Sequence, residues 1–345
     1  MIGELFIISP GKRLRKEDMI PGDKPFVGAS DSNNGVTAFV SNSNASEDSN
    51  VLGVNYNGSV TESFYHPYSC IFSDDVKRFK LRHHNGNKYV YLFLKTMIRQ
   101  QKVKYTYGYK FSEQRMQRQP IMLPVDDEGK PDYVFMEEYM REREQKLIHD
   151  YIEYARRKLS ELPNESLSLG GVRWKEFYVS DVFTKIQRGK RLKTEDHIPG
   201  NVPYVSSSAM NNGVDDFIGN TEGIRKFQNC ITIANSGSVG KTFFHEYEFI
   251  ASDHVTALQA PHMNKYIYMF IATVTKRLDE KYSFNREINE ARINREKIML
   301  PIDDEGKPDW EFMTQYMKAI EERLYLRYLE SKASRLSLHT QHSEQ

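Results

Sequence analysis

The segment that most resembles a catalytic element is Asn235-Ser236-Gly237-Ser238-Val239-Gly240-Lys241-Thr242, which ends like a loop that cradles nucleotide phosphates. Asn235 stands where that loop needs its first glycine, and the related segment Gly58-Ser59-Val60-Thr61-Glu62-Ser63 lacks the second glycine, the lysine and the threonine. What remains is a glycine turn, which either offers backbone N–H groups and Lys241 to a phosphate or serves structure alone. Asp23-Lys24-Pro25-Phe26 and Asn201-Val202-Pro203-Tyr204 approach an Asn-Pro-Pro-Tyr methyl-transfer signature, but each lacks the second proline. No glycine-rich strand-to-helix turn precedes them to hold a methyl donor. Pro131-Asp132 with Glu144 and Lys146, and Pro308-Asp309 with Glu330 and Lys332, imitate the carboxylate and lysine set of a metal-dependent nuclease. Their separations differ, and the Glu-x-Lys pairs fall on a surface helix. His83-His84 has no counterpart elsewhere, and no Ser/His/Asp grouping recurs. Cys70 and Cys230 are too few for a structural zinc site or a disulfide framework. Nothing catalytic is duplicated, and no metal ligand set emerges.

The residues that are duplicated suit binding. Gly11-Lys12-Arg13-Leu14 returns as Gly189-Lys190-Arg191-Leu192, placing two adjacent cations on a glycine turn. Lys12, Arg13, Lys190 and Arg191 can reach phosphates or the O6 and N7 atoms of guanine, or be simply solvated. Asn33-Asn34-Gly35-Val36 returns as Asn211-Asn212-Gly213-Val214, whose carboxamides match the edge of adenine; Asn-Gly is equally a preferred hairpin turn. Ser206-Ser207-Ser208 faces Gly28-Ala29-Ser30 just before that turn, where the copies diverge, and Ser207 is the candidate base contact there. Arg115 and Arg118 match Arg292 and Arg295, with Tyr107 and Phe284 nearby; phosphate contact and capping of the following acidic turn are both open. Lys241 completes the candidate DNA-contact set.

These sites are positioned by a chain built twice. Residues 121–140 recur at 298–317 with fifteen of twenty positions identical, and the offset stays between 177 and 179 throughout. A period of that length is a duplicated domain, since solenoid units run to about 20 to 50 residues. Short runs rich in Val, Ile, Phe and Tyr, such as 202–206 and 230–234, read as strands between Gly and Asn clusters. Stretches 89–98 and 266–274 have helical spacing, so each globe is mixed α and β. Ile148, Ile152, Ala155, Leu159 and Leu162 are spaced as the seam of a helix that meets a partner helix. Met313, Met317, Ile320 and Leu324 repeat that seam in the second copy before it shifts to Leu329, Ala333 and Leu336. Pairing of these two arms is expected, against packing of each on its own globe. A helix over 132–162 would be about 46 Å long, and two of them antiparallel would hold the globes apart. Asp132 and Asp309 read as helix N-caps at the end of a rigid Asp-Asp-Glu-Gly-Lys-Pro-Asp turn.

The expected boundaries are 1–131 for the first globe, 132–162 for its arm, 163–173 for a linker, 174–308 for the second globe, 309–338 for its arm and 339–345 for a tail. The net charge of +1 conceals alternation: +6 over 1–120, −4 over 121–162, +2 over 163–297 and −3 over 298–345. Basic globes and acidic arms suggest different partners. No run of 18 apolar residues exists and the opening ten residues lack the basic start of a signal peptide, so a cytoplasmic protein without membrane contact is expected.

The arrangement resembles the specificity subunit of type I restriction-modification systems, or of the related two-subunit type IIB systems. The resemblance runs through Trp174-Lys175-Glu176-Phe177, Phe183, Pro203-Tyr204-Val205, Asn211-Asn212-Gly213-Val214, Gly237-Ser238-Val239-Gly240 and 292–301. It implies an α+β fold of two tandem target recognition domains, each followed by a long helix, with the helices paired antiparallel in pseudo-twofold symmetry. It implies a non-catalytic subunit that reads a bipartite site on double-stranded DNA, with half-sites about one helical turn apart. DNA adenine methyltransferase subunits, with a fused or separate nuclease, would dock on the arms. S-adenosylmethionine and Mg²⁺ would belong to those partners, with no cofactor in this chain. The first half departs from the pattern: it opens at Ile2-Gly3-Glu4-Leu5-Phe6 without the Trp-x-x-Phe leader. Its first strand is therefore expected to be incomplete or supplied by a neighbouring element. The readings from other classes are a stand-alone methyltransferase or nuclease, which S-adenosylmethionine binding by this chain would reveal, and a duplicated scaffold without a DNA role.

Overall fold

Asn87 and Asn264 show how the duplicated sequence becomes duplicated structure. In the computed structural model, each carboxamide oxygen accepts hydrogen bonds from the N–H groups two and three residues on, capping helices Lys88–Arg99 and Lys265–Thr275. The structure describes residues 1–105, 108–162, 167–283 and 285–342, with side chains described as far as 332. Thr106, Tyr107, Phe284, the first four residues of the linker and the last three residues of the tail lie outside the described residues. The chain divides into two units, Met1–Tyr151 and Ile152–Gln345.

The first unit carries two sheets. One has the strand order Phe6–Pro10, Val76–Leu81, Val51–Asn55, Ser63–His66, antiparallel throughout. The other places Pro21–Val27 between Val36–Val40, antiparallel, and Ile71–Phe72, parallel. Every residue of Val51–Asn55 is buried, as a strand covered on both faces must be. Tyr91, Leu94 and Ile98 recur at helical spacing and pack with Leu52, Val54 and Phe79 in the core, each buried Leu or Ile contributing about 1.5–3 kcal/mol.

The second unit repeats this frame. Its sheets run Thr242–His245, Cys230–Ala234, Val255–Gln259, Lys185–Arg188, and Val214–Ile218, Pro199–Val205, Phe249–Ala251, Lys226–Phe227. The parallel contact recurs, Val27 opposite Phe72 in the first copy and Val205 opposite Ala251 in the second. Among the described residues, a further pair of strands, Lys297–Pro301 with Trp174–Tyr178, is found in the second unit alone. In both copies the Gly-Lys-Arg-Leu turn runs hard against a neighbouring strand end. A Cβ would lie 1.9 Å from the Ser73 carbonyl oxygen at Gly11 and 2.1 Å from that of Ser252 at Gly189, so only glycine fits.

The arms form as helices Tyr133–Ser160 and Trp310–His342. Asp132 and Asp309 cap them, each carboxylate accepting the N–H three residues on, from Phe135 and Phe312, at 2.8 Å. Before each cap the turn is rigid: Asp126 accepts from the N–H groups of Glu128 and Lys130, and Asp303 from those of Glu305 and Lys307. The first turns of each arm pack on their own globe. Tyr89 donates to Glu144 and Tyr266 to Glu321, both at 2.8 Å, while Asn87 reaches Glu137 and Asn264 reaches Thr314. Met136 and Met313 are fully buried in the cores of their globes. Met313 is therefore a core residue of its own globe and no part of a helix pair. Further along, the end of the first arm belongs to the second unit, where Tyr154 meets Tyr325 edge-on at 6.1 Å and Ala155 is buried. The second arm's buried positions there are Ala319 and Tyr325, with Met317 and Ile320 half-buried. Leu324 departs from the expected seam: it is 60% exposed. Tyr325 takes the inward position because its ring packs on Tyr154 while its hydroxyl reaches the Glu321 carboxylate at 3.3 Å. Ile148, Ile152 and Leu159 are half-buried.

Candidate nucleic-acid interface

In the second globe, Arg191, His197, Tyr204, Ser206, Ser207, Asp215 and His254 line one open cleft of about 330 Å³. Three local features build it. The glycine turn at Gly189 is anchored by its N–H to Val255 O at 3.0 Å and by Lys190 N–H to Ala251 O at 3.0 Å, which leaves the Lys190 and Arg191 side chains exposed. Ser206 N–H donates to Gly213 O at 2.9 Å, closing the loop that carries Ser207 onto the Asn-Asn-Gly turn. Ser252, Asp253 and His254 form the far wall, with His254 Nδ1 2.6 Å from the Ser236 hydroxyl.

The asparagine turn is a run of left-handed backbone, with φ of 49°, 54° and 76° at Asn211, Asn212 and Gly213, and 49°, 53° and 75° at Asn33, Asn34 and Gly35. Asparagine and glycine tolerate this region best. All four asparagine side chains are exposed. Asn211 lines a hollow of about 430 Å³ with Asp215, Asp216 and Phe217, so Asp215 is common to both depressions. Asp216 accepts from His197 Nδ1 at 2.7 Å, a contact that holds its carboxyl below the usual range. His197 Nε2 is buried with no hydrogen-bond partner among the described residues.

In the first globe Lys12 and Arg13 are also exposed, Arg13 standing 3.9 Å from Asp74 with both side chains in solvent. Such a pair is worth little and leaves the guanidinium available. Arg115 and Arg292 do not cap the acidic turns. Arg115 donates to Lys110 O at 2.6 Å and lies 3.6 Å over the Tyr109 ring, and Arg292 donates to Glu287 O. Arg118 and Arg295 are exposed. Arg292 and Arg295 line a separate hollow of about 400 Å³ with Tyr282, Arg286 and Asn289, apart from the Arg191 cleft.

Lys241 is the departure among the expected contacts. Its ammonium donates to Asp279 at 2.8 Å. The turn's own N–H groups are also occupied: Ser238 N–H donates to Ser207 O at 3.1 Å and Gly240 N–H to Ala234 O at 3.0 Å. Ser59 N–H bonds Ala29 O at 3.3 Å in the first copy. The Gly-Ser-Val turn is thus clamped to the recognition loop through Ser238 N–H, with Lys241 held by Asp279.

Residues 1–151 and 171–327 match the family described as type I restriction modification DNA specificity domain. The chain belongs to that family. Its two matched stretches are the two globes, each with the start of its arm, which are tandem specificity domains of mixed α and β structure. A curated protein, the type II restriction enzyme BgcI specificity subunit S.BcgI of Heyndrickxia coagulans, is 61% identical over 145 residues, a match that spans 42% of each chain. The S subunit of a type I restriction-modification system from M. genitalium is 16% identical, with a TM-score of 0.43 over 98% of this chain and 91% of that one. The HsdS subunit from Thermoanaerobacter tengcongensis is 12% identical, with a TM-score of 0.32 over 95% and 94%. No helix among the described residues of this specificity-family chain is long and apolar enough to cross a membrane.

The cleft also contains residues that sequence reasoning passed over: Asp215, Asp253 and above all His254. The signal was present. Ser252-Asp253-His254 aligns with Ser73-Asp74-Asp75, and Asp215 with Thr37, so His254 and Asp215 vary within a frame the two specificity domains otherwise share, while Asp253 is kept as Asp74.

Proposed function

We propose that the chain is the DNA-reading subunit of a restriction-modification complex, in which each globe contacts one half of a bipartite duplex site. The observation that carries this reading is the second globe's cleft. An anchored basic turn supplies Arg191, preceded by the exposed Lys190, beside polar groups at Ser207, Asp215 and His254, and the matching positions of the first globe hold Ala29, Thr37 and Asp75. A shared frame with exchanged polar groups is what two different recognition sequences require, because donors and acceptors on base edges set specificity while phosphate contacts set register. The contact set is Lys12, Arg13, Asn33, Asn34, Arg115 and Arg118 in the first globe, and Lys190, Arg191, Ser207, Asn211, Asn212, Arg292 and Arg295 in the second. Lys241 is left out of it.

The acidic arms serve as docking surfaces for DNA adenine methyltransferase subunits, alone or joined to a nuclease. S-adenosylmethionine and Mg²⁺ act on those partners, which extrude the target base, and this chain performs no covalent chemistry. The test is DNA binding by the complex across a range of salt. Replacing Lys190→Ala together with Arg191→Ala lowers specific affinity and reduces the slope of log affinity against log salt by up to about 2, one for each phosphate left without its cation. Unchanged affinity and slope would remove these two residues from the interface, and binding of S-adenosylmethionine by this chain alone would refute the division of labour.

A further inference from the structure

The basic stretch before the second arm is built differently from its copy. Arg286, Arg292 and Arg295 line one hollow of about 400 Å³ with Tyr282, Asn289 and Glu296. All three arginines are exposed, and among the described residues none of them forms an ion pair, although Glu287 and Glu290 stand close in sequence. Elsewhere Arg78, Arg99 and Arg141 each meet a carboxylate at 3.2 Å or less. Glu296 is buried and already satisfied: both its oxygens accept from Lys281 at 2.8 Å, and the Tyr282 hydroxyl donates to it as well. Three cations gathered around one hollow repel each other, and an anion placed among them removes that cost.

Local bonds set these side chains in place. Arg286 N–H donates to Ser283 O at 2.8 Å, closing a tight turn, and the Arg286 guanidinium lies 5.4 Å from the centre of the Tyr282 ring. Asn289 caps the next turn, its carboxamide oxygen accepting from Arg292 N–H at 2.9 Å, and the Arg292 guanidinium donates once, to Glu287 O. The same segment is tied to the recognition cleft. Ile288 N–H donates to Asn235 O at 3.1 Å, and the Asn235 carboxamide reaches Asp253 O at 3.4 Å in the wall of the cleft that Arg191 lines. The first globe is different: Tyr109 stands in the place of Arg286, 51% exposed, and carries Arg115 on its face at 3.6 Å. That corner has two arginines, one of them held by a ring.

We infer that the hollow of Arg286, Arg292 and Arg295 seats backbone phosphates of the duplex, separately from the contacts of the Arg191 cleft, and that the first globe matches it only in part. The inference rests on the DNA-reading proposal. It adds a third cation, Arg286, and an inequality: the backbone of the second half-site is gripped by more charge than that of the first. Guanidinium forks suit phosphate oxygens, to which they donate in pairs. Phosphate contacts carry no sequence information directly, so the seat fixes register while the cleft beside it distinguishes bases.

The test measures affinity across a range of salt, using the complex and a duplex that it selects from random DNA. Arg286→Gln, Arg292→Gln and Arg295→Gln together lower the slope of log affinity against log salt by about 2 to 3, and affinity falls by about tenfold or more. Arg286→Tyr, which imitates the first globe, lowers the slope by about 1. Lysine at all three positions keeps the charge and the slope, and every variant selects the parent sequence. An unchanged slope in the glutamine variant, while Lys190→Ala with Arg191→Ala still weakens binding, would remove the hollow from the interface and leave DNA reading standing. A changed selected sequence would make the hollow a reader of bases, and an equal fall in slope with lysine would deny charge its part; either overturns the inference. Absence of duplex binding by the parent complex would instead end the reading on which it rests.

Discussion

Glu62 and Lys241 occupy the same place in two copies of one turn and carry opposite charges. In the first globe Glu62 is buried and accepts from Lys102 at 2.9 Å and from Arg99. In the second, Asp279 stands where Lys102 stood, and Lys241 donates to it at 2.8 Å. Duplication preserved the attraction and exchanged its sign, so the pair fastens the glycine turn to the end of the core helix. A residue that served DNA in both globes would have kept its charge. Histidine shows the complementary case. His66 and His245 are both fully buried, each with Nδ1 near a tyrosine hydroxyl, of Tyr68 at 3.3 Å and of Tyr247 at 3.2 Å. His245 Nε2 lies 2.8 Å from the Thr232 hydroxyl. Gly53 takes that position in the first globe, a Cβ there would lie 3.1 Å from the imidazole, and His66 Nε2 has no partner among the described residues. The frame keeps the buried ring and varies what satisfies it.

The largest effect expected from this comparison is on acid stability. Burial holds both imidazoles near pKa 4, against 6.5 for a solvated ring. The unfolded chain therefore takes up protons that the folded chain refuses between about pH 6.5 and 4, and stability falls as pH drops through that window. At 1.36 kcal/mol per pKa unit, each globe loses at most about 3 kcal/mol. Urea unfolding at pH 7, 5.5 and 4.5, read separately for each globe by hydrogen exchange, measures this; a flat profile in either globe would break the parallel between them. A smaller effect sharpens the charge exchange. Lys241→Glu places two carboxylates together and destabilises the second globe by about 1 kcal/mol, whereas adding Asp279→Lys restores it to within about 0.5 kcal/mol. Failure of the double substitution to recover what the single one cost, in the same unfolding assay, would mean that the pair is incidental.

The sequence made some of this legible and hid the rest for physical reasons. The repeat, the strand at Cys230–Ala234, the two core helices and the caps at Asp132 and Asp309 depend on local spacing and on residues a few positions apart. Lys241 was misjudged because its partner, Asp279, lies 38 positions away and is brought near only by the turn and the core helix. The seam of the second arm slipped by one residue because spacing alone cannot distinguish Leu324 from Tyr325, and Tyr154 makes that choice from another helix. His254 escaped notice because its role follows from the cleft it faces, which no local pattern encodes.

The account's central claim is that one frame, present twice, reads two separate half-sites. Selection of bound sequences from random duplex DNA, by the complex and by a variant carrying Ser207→Ala, Asp215→Thr and His254→Asp, tests it most directly. The account predicts a bipartite sequence in which the variant alters one half and leaves the other and the spacing intact. A continuous single site, or changes spread over both halves, would contradict it.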